Sequence, residues 1–449
     1  MSYKSKEEPM VVGLISLGCA KNVVDSERML AEIAQAGYLL SSEPAEADVV
    51  VVNTCGFIEP AICEALETIK EVAGYKSKGK VKKLIVAGCL SERFGRSLFD
   101  RAEGIDAVVG LGQRDNIADI VKKTMVSGQR EAYMEPSGRL VSDDRVRLRI
   151  GPNHWSYLRI SQGCDHRCSF CTIPAIRGRF RSKPLSLVLP EANELVSAGA
   201  VELNIIGQDT TCYGRDINIT DGLTKLLSKL AEIPDLGWIR LLYLYPQGIT
   251  DTLIELLAGS EKIVHYMDIP VQHINNEILK SMRRSDTSES ICRLIERLRK
   301  AMPDIVLRTT LIAGFPGESG RQFEQLVDFV KWARFDALGC FKFYPESGTI
   351  AAEMPGQVSN DVKQQRLEEV MLTQQEIAFS KNKARVGSRL RCLVDSVDIY
   401  CGIGRFYGQA PEIDSISIIR NCSAKAGDFI DVEVTGTEDY DLVVRQIRS

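Results

Sequence analysis

Strand-like runs recur along this chain, each followed after a short turn by a helical stretch, and that alternation constrains the fold more tightly than any other feature. From Met10 to about Val126 the runs VVGLIS, DVVVVN, KLIVAG and DAVVG alternate with amphipathic stretches such as Ser26 to Gln35 and Ile58 to Val72. Strands that each return through a helix must lie parallel, so this region predicts an α/β unit on a parallel sheet. The rhythm restarts at Trp155 with YLRIS, a helix near Leu187 to Ala198, VELNII, a helix near Leu223 to Ala231, and IRLLYL. It continues through VHYMDI, a helix near Ser288 to Ala301, IVLRTTLI, a helix near Arg321 to Arg334, and ALGCFKF. Six strand signals predict an open or partial (βα)6 barrel whose functional edge is the C-terminal ends of its strands.

Residues 127 to 152 lose the alternation and carry Gly128, Pro136, Gly138, Gly151, Pro152 and the charged string Arg145 to Arg149. A polar helical stretch, Val362 to Lys383, leads into short strand-like runs (RLRCLVDSV, SISIIR, DFIDVEVTG, DLVVRQI) that predict a small β-barrel. The expected organisation is an α/β domain at 1–135, a linker at 136–152, a barrel domain at 153–385 and a β-barrel at 386–449.

With 449 residues, 44% hydrophobic and 26% charged, each of these domains has enough chain to bury a core. The start, MSYKSKEEP, has no apolar signal region, and the longest aliphatic runs, such as Val49 to Val52, are far too short for a bilayer, so a cytoplasmic protein without a membrane span is expected. Thirteen cysteines in that compartment read as core residues, metal ligands or nucleophiles rather than a disulfide scaffold. The net charge of -4 gives no overall footprint for nucleic acid.

Directly after YLRIS stands Gly163-Cys164-Asp165-His166-Arg167-Cys168-Ser169-Phe170-Cys171, a C-x3-C-x2-C triplet on a loop at a strand end. Zinc would need a fourth ligand; His166 lies inside the loop, and the other three histidines lack paired spacing. Three thiolates on a four-iron cluster instead leave one iron open for a cofactor's amino and carboxylate groups while an electron passes into its sulfonium. The spacing is the hallmark of radical S-adenosylmethionine enzymes, which this region resembles.

A second set, Cys19 in SLGCAKN, Cys55 in NTCGF and Cys89 in AGCLS, follows its strands within a few residues each. Parallel strands end on one edge, so three cysteines distant in sequence can meet there and hold a second cluster. The ordinary alternative is a small buried residue at each tight turn. Cys63, Cys212, Cys292, Cys340, Cys392, Cys401 and Cys422 sit singly and read as core or incidental residues.

The segments Ser16 to Glu27, Asn53 to Ile58, Cys168 to Gly178, Tyr243 to Pro246, Asp268 to His273 and Arg308 to Glu318 together resemble the methylthiotransferase family over essentially the whole chain. Within it, the chain is most similar to the type that modifies an aspartate of small-subunit ribosomal protein S-twelve. The resemblance implies two 4Fe-4S clusters, an auxiliary one on Cys19, Cys55 and Cys89 and a radical-generating one on Cys164, Cys168 and Cys171, with a TRAM domain as the tail. It implies that one S-adenosylmethionine gives a methyl group to a sulfur at the auxiliary cluster. A second is reduced to a 5'-deoxyadenosyl radical that opens the target carbon for the methylthio group. An electron donor such as flavodoxin or ferredoxin and a sulfur source are implied partners.

A methylene beside a carboxylate has no useful acidity, which makes radical chemistry the suitable route. Phe170 could pack on the adenine, Gln208 and Asp209 could reach the ribose or methionine end, and Arg308 and the Gly314 loop lie on a later strand facing the same cavity; ordinary barrel packing is the alternative for all five. Arg177, Arg179, Arg181 and Lys183 form a basic run that reads more naturally as a solvated face than as a binding site, with contact to an acidic target loop as the alternative.

Two other readings stay open. Related enzymes act on transfer RNA adenosine with the same clusters, but from Gly387 to Ser449 there are seven Lys and Arg against ten Asp and Glu, an acidic balance that suits a basic ribosomal protein better than RNA. The stretch GRFYGQAPEID, Gly404 to Asp414, also resembles the ribosomal-protein type. A non-catalytic iron-sulfur or zinc module is the third reading.

Overall fold

A computed structural model describes residues 9–135 and 143–447, which form two compact units. The first runs to Gly151 and takes in Gln162–His166 and Cys171–Arg181; the second comprises Pro152–Ser161, Arg167–Phe170 and the remainder from Ser182.

In the first unit, strands β1 (Val11–Ser16), β2 (Leu39–Ser41), β3 (Val49–Thr54), β4 (Lys83–Gly88), β5 (Ala107–Val109) and β6 (Glu131–Tyr133) form one parallel sheet in the order β2-β1-β3-β4-β5-β6. The unbroken run Val49 to Val52 is wholly buried because both faces are covered. Val50, Val52, Leu84 and Val86 pack under Ile62, Ala65, Ile69 and Val72 of helix α2 (Glu59–Ser77). Val49, Val51, Ile85 and Ala87 pack under Met29 and Ile33 of α1 (Ala20–Gln35) and under the helix Ile117–Val126. The edge strands β2 and β6 left no strand pattern in the sequence: unlike the equally short but wholly buried β5, their LLS and EAY are partly exposed.

The Pro136 and Gly138 of the expected linker lie outside the described residues. The part that follows is tethered along α1 by its charges: Arg147 pairs with Glu27 at 2.9 Å, the Leu148 N–H donates to the Glu27 carbonyl at 3.1 Å, and Arg28 donates to the Arg145 carbonyl at 3.1 Å.

The two-residue strands β8 (Ser161–Gln162) and β9 (Arg181–Ser182) flank the cysteine loop in sequence. The second unit is built on β7 (Trp155–Arg159), β10 (Glu202–Ile206), β11 (Trp238–Leu241), β12 (Ile263–Asp268), β13 (Val306–Ala313) and β14 (Ala337–Lys342), an open parallel sheet in that order. This is the expected partial barrel of six strands. Its Leu203, Ile205, Ile239, Leu241, Met267 and Leu307 pack with the helices Leu185–Ser197, Gly222–Ala231, Ser288–Ala301 and Gly320–Ala333 in one core. Side chains alternate across a strand. The opposite, lumen face therefore carries Glu202 and Asn204, Arg240, Tyr266 and Asp268, and Arg308.

After the long helix Asn360–Arg385, strands β15 (Arg389–Val397), β16 (Cys401–Phe406), β17 (Ser417–Arg420), β18 (Phe429–Glu438) and β19 (Asp441–Gln446) close a barrel in the order β15-β16-β17-β19-β18. The end of β16 and the segment after it bond to the polar face of the open sheet. The Tyr407 carbonyl accepts from Arg240, Arg405 pairs with Glu202 at 2.7 Å, and Asp414 accepts from the Tyr266 hydroxyl at 2.7 Å. Tyr157 donates to Glu412 at 2.8 Å.

Candidate functional site

The first unit brings Cys19, Cys55 and Cys89 to the C-terminal edge of its sheet. Cys19 caps the start of α1, Cys55 follows β3, and Cys89 opens the short helix α3 (Cys89–Phe94) behind β4. The glycines ahead of two of them make the approach possible. Gly18 and Gly88 have φ of +93° and +94°, a left-handed backbone that favours glycine. A Cβ at Gly18 would come within 2.8 Å of the Cys55 Cβ, and one at Gly88 within 2.3 Å of the Asn53 Oδ1.

Asn22, fully buried on the first turn of α1, clamps this edge by donating to the carbonyls of Leu17 at 3.0 Å and Thr54 at 2.9 Å. Its Oδ1 accepts from Arg177 at 2.6 Å, and the same guanidinium nitrogen lies 3.2 Å from the Cys89 Sγ and 3.2 Å from Asp25. Burial pushes the Cys55 thiol up to about 11, with the charges of Cys19 and Cys89 adding to the rise, and burial likewise raises Cys89 against the pull of Arg177. Burial also works against ionising Cys19, but Lys21, Arg177 and the N–H groups of Asn22 and Lys21 more than offset it, and that thiol ends below its ordinary value. Three sulfurs close enough to influence one another's ionisation, with cations already present, fit a thiolate-bound metal cluster.

The C-x3-C-x2-C loop follows the strand end as expected. Cys164 is fixed through its N–H to the Gly178 carbonyl at 3.1 Å, and Cys171 lies two residues before the helix Ile173–Arg177. In the second unit burial raises the Cys168 thiol, opposed by the charge and hydrogen bond of Arg284. Arg284 also stacks 4.1 Å from the Tyr245 ring centre and donates to the Pro270 carbonyl at 2.9 Å. Phe170 packs against Ile278, Met282, Phe315, Phe343 and Ala351.

The lumen wall of the second unit holds polar atoms that the described chain leaves unsatisfied. Both ends of the Gln208 carboxamide, both ends of the fully buried Asn204, the Ser161 Oγ and the Gln272 Oε1 are buried without a hydrogen-bond partner. Ser161 and the Gly207–Gln208 turn adjoin, since a Cβ at Gly207 would meet the Ser161 Oγ at 2.5 Å. Buried polar atoms are almost always satisfied, so these point to a polar ligand or ordered water. A cofactor with hydroxyl, ammonium and carboxylate groups fits them.

Three of the expected cofactor residues have other partners. The Asp209 carboxylate accepts from the Thr211 N–H at 2.9 Å and hydroxyl at 2.5 Å and from the Cys212 thiol at 2.9 Å, closing its own turn. Arg308 pairs with Asp268 at 2.9 Å and with Asp414 at 3.4 Å; burial pulls its guanidinium down, but Asp268, Tyr266 and Asp414 outweigh this and hold it above its ordinary value. The Gly314 N–H donates to the Glu318 carboxylate at 3.1 Å, and the position faces Lys363, whose Cγ would lie 2.3 Å from a Cβ there.

The basic run is not a solvated face throughout. Arg177 and Lys183 are buried, Arg177 against Asn22, Asp25 and Cys89, and Lys183 on Glu191 at 2.6 Å, while Arg179 remains exposed. Asn22, Asp25, Arg177, Asn204, Gln272 and Arg284 were not singled out from the sequence for a metal or cofactor role. Arg177 gains its place from Asn22 and Asp25, partners distant in sequence, and no local motif marked any of the six for such a role.

Among the described residues no helix is long and apolar enough to cross a membrane. Family models match three stretches: "Uncharacterized protein family UPF0004" at residues 11–110, the Radical SAM superfamily at 158–330 and a TRAM domain at 386–447. In fold the chain is similar to the radical S-adenosylmethionine methyltransferase TsrM of Kitasatospora setae, with a TM-score of 0.54 at 16% identity over 77% of each chain. It is 43% identical to the ribosomal protein uS12 methylthiotransferase RimO of Natranaerobius thermophilus, over 97% of this chain and 98% of that one. The protein of the same name from Trichlorobacter lovleyi is 42% identical over 100% of both chains, and that from Geobacter sulfurreducens 41% identical over 96% and 97%. An identity above 40% along the full length of these relatives, joined to an open parallel sheet and two sets of cysteines at strand ends, establishes that the chain belongs to the RimO family of radical S-adenosylmethionine methylthiotransferases.

Proposed function

We propose that the chain is a cytoplasmic enzyme that places a methylthio group on the β-carbon of an aspartate of ribosomal protein uS12. The observation that carries this reading is the second thiol set: Cys19, Cys55 and Cys89 on one sheet edge, in addition to the C-x3-C-x2-C loop. A radical enzyme needs only the loop, and a sulfur-inserting one needs a further thiolate site. When bound, two 4Fe-4S clusters and S-adenosylmethionine would supply the reducing electron, the sulfur, the methyl group and the means to open an unactivated C–H bond.

The chain's own residues then have distinct tasks. Cys19, Cys55 and Cys89 hold one cluster, and Cys164, Cys168 and Cys171 hold the other. Gln208, Asn204 and Ser161 orient the polar groups of the cofactor, and Phe170 offers an apolar face to its base. Asp209, Arg308 and Gly314 support that wall through their neighbours, Asp209 by closing the turn behind Gln208. Orientation of this kind is where a protein contributes most to radical chemistry, because it sets which hydrogen is met first.

The acidic balance of the carboxy-terminal barrel favours a basic protein as target over RNA, whose phosphates it would repel. Electrons would come from a small redox protein such as flavodoxin or ferredoxin, and the sulfur from a separate donor. The test is to incubate anaerobically reconstituted enzyme, reductant and S-adenosylmethionine with uS12 and, separately, with transfer RNA. Mass spectrometry should find the methylthio addition on one aspartate of uS12; addition to transfer RNA adenosine alone would overturn the assignment.

A further inference from the structure

Arg177 stands at the end of the helix Ile173–Arg177, six residues after Cys171, and is 2% exposed. Its Nη2 faces three acceptors: Asn22 Oδ1 at 2.6 Å, Asp25 Oδ2 at 3.2 Å and the Cys89 Sγ at 3.2 Å. Asn22 in turn holds the carbonyls of Leu17 and Thr54, the residues just ahead of the Gly18-Cys19 turn and of Cys55. One guanidinium and one carboxamide thus bind the backbone or sulfur at all three cysteine positions.

Asp25 is shared with Arg114 at 3.4 Å, and Arg114 pairs more closely with Asp144 at 2.6 Å. The net result is a buried cation whose Nη2 meets a carboxamide oxygen, a carboxylate and a sulfur together. Hydrogen bonds to ligand sulfurs, local charge and burial are what set the potential of an iron-sulfur centre. Each added electron makes such a centre more negative, so a fixed N–H donor carrying positive charge favours the reduced form. All three contacts are made by the one nitrogen Nη2, so a lysine ammonium brings back the charge, but on a differently shaped side chain that does not place it at the same point.

We propose that Arg177 is a positioning residue of the Cys19–Cys55–Cys89 centre, which orients Cys89 by its hydrogen bond and raises the reduction potential of the cluster held there. This rests on the reading that those three cysteines bind an iron-sulfur cluster, and the experiment separates the two claims. The full chain carrying Cys164→Ala, Cys168→Ala and Cys171→Ala is reconstituted anaerobically with iron and sulfide, so that only the other centre is observed. Iron and labile sulfide are assayed, and the midpoint potential is read by electron paramagnetic resonance during a reductive titration. Arg177→Met and Arg177→Lys are then made in the same background.

The background should bind about four irons with matching sulfide. Arg177→Met should lower the midpoint so that the reduced-to-oxidised ratio at the parent's midpoint falls about tenfold, or about 59 mV for one electron. Arg177→Lys should fall between the two. If Arg177→Met does not assemble the centre, the lysine variant decides. A folded background that binds no iron sinks the cluster reading and the inference with it. Iron bound normally with an unchanged or raised midpoint in the arginine variants overturns the inference alone.

Discussion

The two parallel sheets of this protein are built from the same βα grammar and do opposite things with their faces. In the first, Val49 to Val52 are apolar on both sides and helices cover each, so no interior remains and the reactive side chains are confined to the strand-end edge. In the second, one face packs under helices and the other carries Glu202, Asn204, Arg240, Tyr266, Asp268 and Arg308 into a lumen. The difference shows that a sheet covered on both faces can present a site only at its rim, whereas one with a single covered face lines an interior with the other. Here that lining is divided: Glu202, Tyr266 and Arg308 are bonded to the carboxy-terminal barrel, whereas neither end of the Gln208 carboxamide has a partner among the described residues.

The sharpest way to break this contrast is to make the second sheet resemble the first. Glu202→Leu would leave the buried Arg240 and Arg405 without their shared carboxylate, an expected loss of about 3–5 kcal/mol in a chemical denaturation of the full chain. In the first sheet Leu84→Ala should cost about 2–5 kcal/mol for a different reason, a cavity. A loss under about 1 kcal/mol for Glu202→Leu would mean that the end of β16 is not held by this carboxylate.

The unsatisfied wall gives a smaller effect with a distinctive sign. Gln208→Leu removes a carboxamide with no protein partner, so the stability of the unliganded chain should hold or rise. Affinity for S-adenosylmethionine, followed by equilibrium dialysis, should fall about tenfold, equivalent to about 1.4 kcal/mol. Lower stability with unchanged affinity would instead assign the carboxamide to a structural water.

The smallest effect concerns Asp395 of the carboxy-terminal barrel, which pairs with His154, just ahead of β7, at 2.8 Å and with Arg405 at 2.8 Å. Burial raises its carboxyl, but the hydrogen bonds of His154 and Arg405 and their charges more than offset this and hold it below its ordinary 3.8. A depressed value in the folded state means stability that is present above pH 3.8 and is lost as pH falls through the folded value. Denaturation midpoints between pH 5 and pH 3 should therefore fall less steeply in Asp395→Asn than in the parent chain; equal slopes would remove Asp395 from the acid response.

What the sequence revealed follows from what is local in it. The βα rhythm depends on spacings of a few residues, and it located all six strands of the second sheet, four of the six in the first, and both cysteine sets. It missed what depends on distant partners. Arg177 looked like part of a solvated basic run because Asn22, Asp25 and Cys89 lie far away in the chain. Arg308 looked available because nothing nearby in sequence shows that Asp414 reaches it. Strand β16 went unread as a strand: its Cys401-Gly-Ile-Gly-Arg-Phe406 lacks the β-branched density of its neighbours and owes its place to pairing with β15 and β17.

The segment beyond β16 also has an evolutionary consequence. Because Tyr407, Glu412 and Asp414 of the carboxy-terminal barrel are bonded to Arg240, Tyr157, Tyr266 and Arg308 of the sheet, that barrel is not a detachable recognition module. A chimera that exchanged it for the tail of another methylthiotransferase would import a new target surface and break the bonds of Tyr407, Glu412 and Asp414 to the sheet in the same step. A change of target along this lineage would therefore require these residues and their partners in the sheet to be inherited together.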